Sequence, residues 1–215
     1  MPSEKLRGLY AITPDEPDTD KILNLVSSVL TGRPALLQYR NKTASLSVKK
    51  EQAHAIHTLC KAAGIPLVIN DDIFLAEAVD AEGVHLGKDD GNIASAREKL
   101  GQEVLVGISC YNDLERARQA ALEGADYIAF GAFFDSSTKP QATRASATLL
   151  SQAKETIKQP LVAIGGISLD RAPSLIAAGA DMLAVITDIF LAPDPAGRAI
   201  AYHHLFFDRE IQKNG

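Results

Sequence analysis

Hydrophobic positions fall along this chain in two alternating textures. Short apolar runs, "GLYAIT" (8–13), "ALLQYR" (35–40), "PLVIN" (66–70), "GVHLG" (83–87), "VLVGIS" (104–109), "YIAFGAFF" (127–134), "PLVAIGGI" (160–167) and "MLAVIT" (182–187), have the length of buried strands. Longer stretches such as "KILNLVSSVL", "SVKKEQAHAIHTLCKAA", "LERARQAALEG" and "SLDRAPSLIAAG" lie between them. Their apolar residues recur at three- and four-residue spacing, as amphipathic helices require. Eight strand-then-helix units predict an α/β fold, a (β/α)8 TIM barrel forming a single domain over residues 1–215, in preference to an open doubly wound sheet.

A faint repeat agrees. "LEGADYIAFGAFF" (122–134) and "IAAGADMLAVITDIF" (176–190) share a helix end, a Gly-Ala-Asp turn and a buried strand, and "DAEGVHLG" (80–87) is a weaker relative. Part of this is turn chemistry, because glycine supplies the left-handed residue after a helix cheaply.

Composition narrows the function classes. The chain has 215 residues, 46% of them hydrophobic, which suits one barrel-sized core. A net charge of -5 offers no global attraction for nucleic acid or an anionic membrane, so an anionic ligand must be drawn by local groups. Cys60 and Cys110 form neither a CxxC nor a Cys/His ligand spacing. The start, "MPSEKLRG", has no apolar signal core, and no run approaches the ~20 apolar residues of a membrane helix. These features predict a soluble cytoplasmic protein acting on small molecules, without nucleic-acid or membrane partners and compatible with a homo-oligomer.

In such barrels the chemistry sits where strands end. After the second run, "QYRNK" spaces Gln38, Arg40 and Lys42 two apart, so strand alternation turns them to one side. Two cations and an amide suit a diphosphate; ordinary loop charges are the plain alternative. The third run ends in Asn70, Asp71 and Asp72, and the fourth in "GKDDGN" with Asp89 and Asp90. Neighbouring strands contributing one carboxylate each can share Mg2+, completed by substrate phosphate. Asp72, preceding "IFLAEAV", is assigned to helix capping, and Asp71 and Asp90 remain the metal candidates. Ser109 ends the fifth run without a GxSxG elbow or a His/Asp partner pattern, which rejects serine hydrolase chemistry. The sixth run leads into a polar loop with Ser136, Thr138 and Lys139, able to fold over an anion or to be plain solvated loop. The seventh and eighth end in Gly165-Gly166 and Ile186-Thr187, whose backbone N–H groups suit a phosphate. His54 and His57 have metal spacing on the second helix but no accompanying acid, so both are expected on the surface; His85 is expected to be a structural hydrogen-bonding residue.

Taken in order, "LYAIT", "QYRNK", "INDD", "GVHLG" with Asp90, "GIS", "FGAFF" with "STK", "AIGGI" and "GADMLAVIT" resemble the thiamine-phosphate synthase family over nearly the whole chain. The resemblance implies a magnesium-dependent transferase of thiamine biosynthesis. It would couple hydroxymethylpyrimidine diphosphate to hydroxyethylthiazole phosphate with release of diphosphate. It implies that Gln38, Arg40, Lys42 and Asn70 hold the pyrimidine diphosphate, that Asp71 and Asp90 hold Mg2+, and that Ser109 and Lys139 meet the diphosphate. Ser136, Thr138, Gly166, Ile186 and Thr187 would take the thiazole phosphate, and Arg40, Ser109 and Lys139 would carry most of the catalytic burden. The chain departs from the family pattern at Lys88 (commonly Gln), Tyr111 (His), Asp135-Ser136 (Pro-Thr) and Thr187 (Ser). Of these, Asp135 adds negative charge near the expected phosphate site. A thiazole tautomerase-like isomerase would need a base in place of the metal cluster. A non-catalytic phosphate-binding barrel would not need the two acids, which oppose anion binding unless a cation is present.

Overall fold

The structure is a computed structural model and describes residues 6–135 and 144–208. Parallel strands β1 (Gly8–Ile12), β2 (Leu36–Tyr39), β3 (Leu67–Asn70), β4 (Gly83–Leu86), β5 (Leu105–Tyr111), β6 (Tyr127–Gly131), β7 (Leu161–Ile164) and β8 (Met182–Val185) pair in sequence order. β8 closes back onto β1, completing the eight-stranded barrel that the alternating textures predict. Around it run α1 (Thr19–Leu30), α2 (Leu46–Ala63), α3 (Ile73–Val79), α4 (Ile93–Leu100), α5 (Leu114–Leu122), α6 (Ala147–Thr156), α7 (Ala172–Ala177), α8 (Thr187–Phe190) and α9 (Pro195–Phe207).

Strand alternation divides the core into two layers. Tyr10, Ile12, Leu36, Val68, Leu105, Tyr127, Val162 and Met182 fill the barrel interior. Their chain neighbours Leu9, Ala11, Leu37, Leu67, Ile69, Val106, Ile128 and Leu183 pack outward against the helices. Both faces are dry, which is why the strands read as unbroken apolar runs. Gly107 makes room inside: a Cβ there would sit 2.0 Å from the Tyr127 ring.

Several strands stop before their apolar runs do. β7 ends at Ile164 because Gly165 takes φ +101°, which a strand cannot continue. β8 ends at Val185, and Ile186 is the residue that precedes α8. β2 ends at Tyr39, leaving Arg40 and Lys42 on the loop.

Most helices begin on a side-chain cap. Asp18, Ser45, Asp72, Asn92, Asp113, Ser146 and Asp194 each accept a first-turn N–H. Asp72 is thus the cap expected of it. The cap of α4 is Asn92, which leaves Asp90 available for another role. The helix α8 has no side-chain cap.

At the opposite end of the barrel, the acidic repeat gains a structural meaning. Asp126 Oδ2 accepts the Val106 N–H at 2.7 Å and pairs with Arg97 of α4 at 2.9 Å. Asp181 Oδ2 accepts the Leu161 N–H at 2.8 Å and pairs with Lys154 of α6 at 2.6 Å. Glu82 repeats the pattern with the Leu67 N–H at 2.8 Å and His57 of α2 at 3.0 Å. This corrects the surface assignment of His57, which is buried against its acid; His54 is exposed as expected.

Candidate active site

The C-terminal ends of the strands enclose a cavity of about 580 Å3. Gln38, Arg40, Lys42, Asn70, Asp71, Asp90, Ser109, Gly166, Ile186 and Thr187 all line it, although they come from six of the strand ends. Ser136, Thr138 and Lys139 lie outside the described residues.

On the β2 side, Gln38 is buried within the strand, and the alternation continues past its end. Arg40 and Lys42 reach the cavity while Asn41 turns inward to bond the Glu16 carbonyl at 2.8 Å and Gln52 Oε1 at 3.1 Å. Asp15, on the loop after β1, joins this group. Its carboxylate accepts from Arg40 Nη1 at 3.0 Å and from the Lys42 N–H at 2.7 Å, fixing both cations' loop. "PDE" after the first run carries no motif, so only the strand-end rule points to Asp15.

Beside it, Asp71 sits at φ +63°, a left-handed conformation that aspartate adopts more readily than most residues. Its N–H bonds the His85 carbonyl of β4 at 2.8 Å, and Lys42 Nζ lies 3.2 Å from Oδ2. Asp90 folds back so that Oδ2 accepts the Gly87 N–H at 3.0 Å; a Cβ at Gly87 would meet that oxygen at 2.5 Å. Burial first, and the Asp71 carboxylate second, raise the Asp90 pKa above the ordinary range. Two carboxylates pressed together in this way suit a shared cation. No group of three or more His, Cys, Asp or Glu side chains able to hold a metal occurs among the described residues, so such a cation would need oxygen ligands from substrate and water.

The far wall is built from backbone. Gly166 takes φ +62°, and a Cβ there would meet the Asp135 carbonyl at 2.3 Å. The loops after β6 and β7 therefore touch through glycine. Arg171 Nη1 donates to the Gly166 carbonyl at 3.0 Å and its guanidinium lies 4.8 Å over the Phe134 ring, stapling the two loops. The N–H groups of Gly166, Ile167, Thr187 and Asp188 have no acceptor among the described residues, and all four residues line the cavity. Unpaired amides at an uncapped helix start form a ready anion site. Asp188 would oppose an anion there, but Tyr202 donates to its Oδ2 at 2.8 Å and Arg198 lies 3.3 Å away.

The departures from the family pattern also find places. The exposed Asp135 carboxylate pairs with Arg144, which offsets its charge. Lys88 and Tyr111 meet each other, the Lys88 N–H lying 3.4 Å from the Tyr111 hydroxyl. Thr187 is the first residue of α8. Ser109 is bonded to His85 Nε2 at 2.9 Å, and burial pushes the adjacent Cys110 thiol up to about 12, so that thiol is not an activated nucleophile.

A closed parallel barrel that gathers cations, carboxylates and backbone amides around a cavity at its strand ends has the build of a phosphate-handling enzyme. The family profile described as thiamine monophosphate synthase matches residues 9–189, and the chain belongs to that family. The thiamine-phosphate synthase of Azoarcus sp. (strain BH72) is 56% identical over 203 residues, covering 94% of this chain and 98% of that one. Its counterpart in Methylobacillus flagellatus is 53% identical over 201 residues, covering 94% and 96%. The solved thiamine phosphate pyrophosphorylase of Pyrococcus furiosus superposes with a TM-score of 0.83 at 31% identity, covering 94% and 96%.

Proposed function

We propose that this chain joins hydroxymethylpyrimidine diphosphate to hydroxyethylthiazole phosphate, forming thiamine phosphate and diphosphate. The observation that carries this reading is the meeting of two unlike anion-binding walls in one cavity. Gln38 and Asn70 meet the pyrimidine, and Arg40, Lys42, Ser109 and Lys139 meet its diphosphate. Gly166, Ile186 and Thr187, with Ser136 and Thr138, take the thiazole phosphate. Asp71 and Asp90 would hold Mg2+, which when bound neutralises charge on the diphosphate.

The chemistry asks little of a general base. The bond from the pyrimidine methylene carbon to the diphosphate oxygen breaks with its electron pair going to oxygen. The thiazole nitrogen then gives its lone pair to that carbon. No proton moves, so the protein's work is to position two rings, to balance leaving-group charge and to exclude water, the competing nucleophile. Arg40, oriented by Asp15, suits the second task because its guanidinium stays charged and can grip phosphate oxygens in pairs.

Incubating purified protein with both substrates, with and without magnesium, tests the reading. Thiamine phosphate and diphosphate should appear in equal amounts and only with the metal. Folded protein that releases neither product, or releases diphosphate without forming the carbon–nitrogen bond, would overturn it.

A further inference from the structure

Four strand ends follow one another around the barrel, β2, β3, β4 and β5, and the two acids proposed for the metal come from the middle pair. Arg40 and Lys42 stand on the β2 side. On the other side stand Lys88, on the loop after β4, and Tyr111, the last residue of β5, and both line the cavity. The acids therefore lie between two pairs of donors.

The cations on the β2 side are already matched. Arg40 Nη1 meets the Asp15 carboxylate at 3.0 Å, and Lys42 Nζ lies 3.2 Å from that of Asp71. The Lys88 ammonium forms no ion pair among the described residues. Asp71, Asp89 and Asp90 line the same wall, so a diphosphate landing there needs every positive group within reach.

An irregular backbone sets Tyr111 in place. The β5–β6 register shifts between Ser109 and Tyr111, and Tyr111 takes φ +55°, a conformation uncommon for a bulky side chain. Such an irregularity re-aims a side chain, here toward the loop after β4. The Tyr111 hydroxyl lies 3.4 Å from the Lys88 N–H, and a Cβ added to Gly87 would lie 3.5 Å from that hydroxyl and 2.5 Å from Asp90 Oδ2. Phenol and carboxylate thus both sit close over the bare α-carbon of a glycine. Arg116 ties the two loops together, donating to the Ser109 carbonyl at 2.9 Å and to the Gly87 carbonyl at 3.4 Å. A hydroxyl that accepts from an N–H keeps its own proton to donate, and the Tyr111 proton has no acceptor among the described residues.

We propose that Lys88 and Tyr111 form a second diphosphate-binding pair, the phenol donating a hydrogen bond and the ammonium supplying charge to the leaving group from the side opposite Arg40 and Lys42. The inference rests on the diphosphate reading above, and its test separates the two. Calorimetric titration with inorganic diphosphate in magnesium, at low and at high salt, would compare wild type with Tyr111→Phe, Lys88→Gln and Lys88→Arg, each checked by thermal melting. Tyr111→Phe keeps the ring and loses the donor, so affinity should fall about 10-fold at either salt. Lys88→Gln should weaken binding several-fold at low salt and less at high salt, because the lost contribution is a charge. Lys88→Arg should restore it. A merely structural role would produce no such contrast between the two positions. Unchanged diphosphate affinity in the folded variants overturns the pair and leaves the diphosphate reading standing. Equal losses for Lys88→Gln at both salts overturn the charge role of Lys88. Failure of wild type to bind diphosphate with magnesium overturns the diphosphate reading and the proposal with it.

Discussion

At the scale of single residues, Asp71 shows how backbone and chemistry are joined. Its left-handed φ of +63° takes the carboxylate off the line of β3 and beside Asp90. Asparagine tolerates the same conformation, so Asp71→Asn should leave unfolding free energy within ~0.5 kcal/mol of wild type. Magnesium-dependent turnover should fall on the order of 100-fold. Full turnover at saturating magnesium, measured beside a urea melt, would remove Asp71 from the metal site. Asp90 makes a prediction about pH. Its pKa is raised by burial and then by Asp71, and metal binding needs the ionised form, so acidification must weaken binding. The loss should therefore set in at a higher pH than the ~3.9 of an isolated aspartate would impose. Titrations of wild type and Asp90→Asn check this, since the variant should bind weakly with a flatter profile. Both acids were legible because each follows an apolar run. Asp15 was hidden because what it does, holding Arg40 and the Lys42 N–H, lies 25 and 27 residues away.

At the scale of elements, the Gly-Ala-Asp repeat reads in sequence as turn chemistry, and that is half of it. The other half is three carboxylates, each just ahead of one strand, that tie it to the start of the preceding strand and to the helix leading into that one. Asp126 has the least exposed side chain of the three, 20% against 26% for Asp181 and 41% for Glu82. Removing it leaves the Val106 N–H and the Arg97 guanidinium short of an acceptor. Asp126→Ala should therefore cost about 2 kcal/mol of stability. Turnover at a permissive temperature should be unchanged, because the cavity is at the other end of the strands. Chemical denaturation with a parallel assay decides, and a variant as stable as wild type would reduce the bracket to an exposed ion pair. The helix starts divide in the same way. Asp72 could be read as a cap from its place before "IFLAEAV". That His57 pairs with Glu82 could not, because nothing in the spacing of a histidine on α2 names an acid 25 residues on.

At the scale of the whole molecule, closure of the barrel decides what the interior tolerates. Gly107 on β5 looks in sequence like a weak point in a strand, whereas in the closed barrel it is the space the Tyr127 ring occupies. Gly107→Ala should cost ~1–3 kcal/mol by overpacking, read as a lower urea midpoint. Neutral behaviour would mean the interior can relax around Tyr127. The order of elements, the parallel barrel and the set of strand ends facing the cavity were all determined by sequence. Periodicity is local, and a right-handed βα repeat leaves the C-terminal ends of all its strands on one face. Only the tertiary structure decided which polar groups meet. Tyr10 and Tyr127 are 117 residues apart and 2.7 Å distant, and Asp135 is offset by an arginine nine residues further on. Hydrogen bonds and ion pairs act over a few ångströms, and neighbours across a closed barrel are set by its geometry, which the linear spacing of residues does not encode.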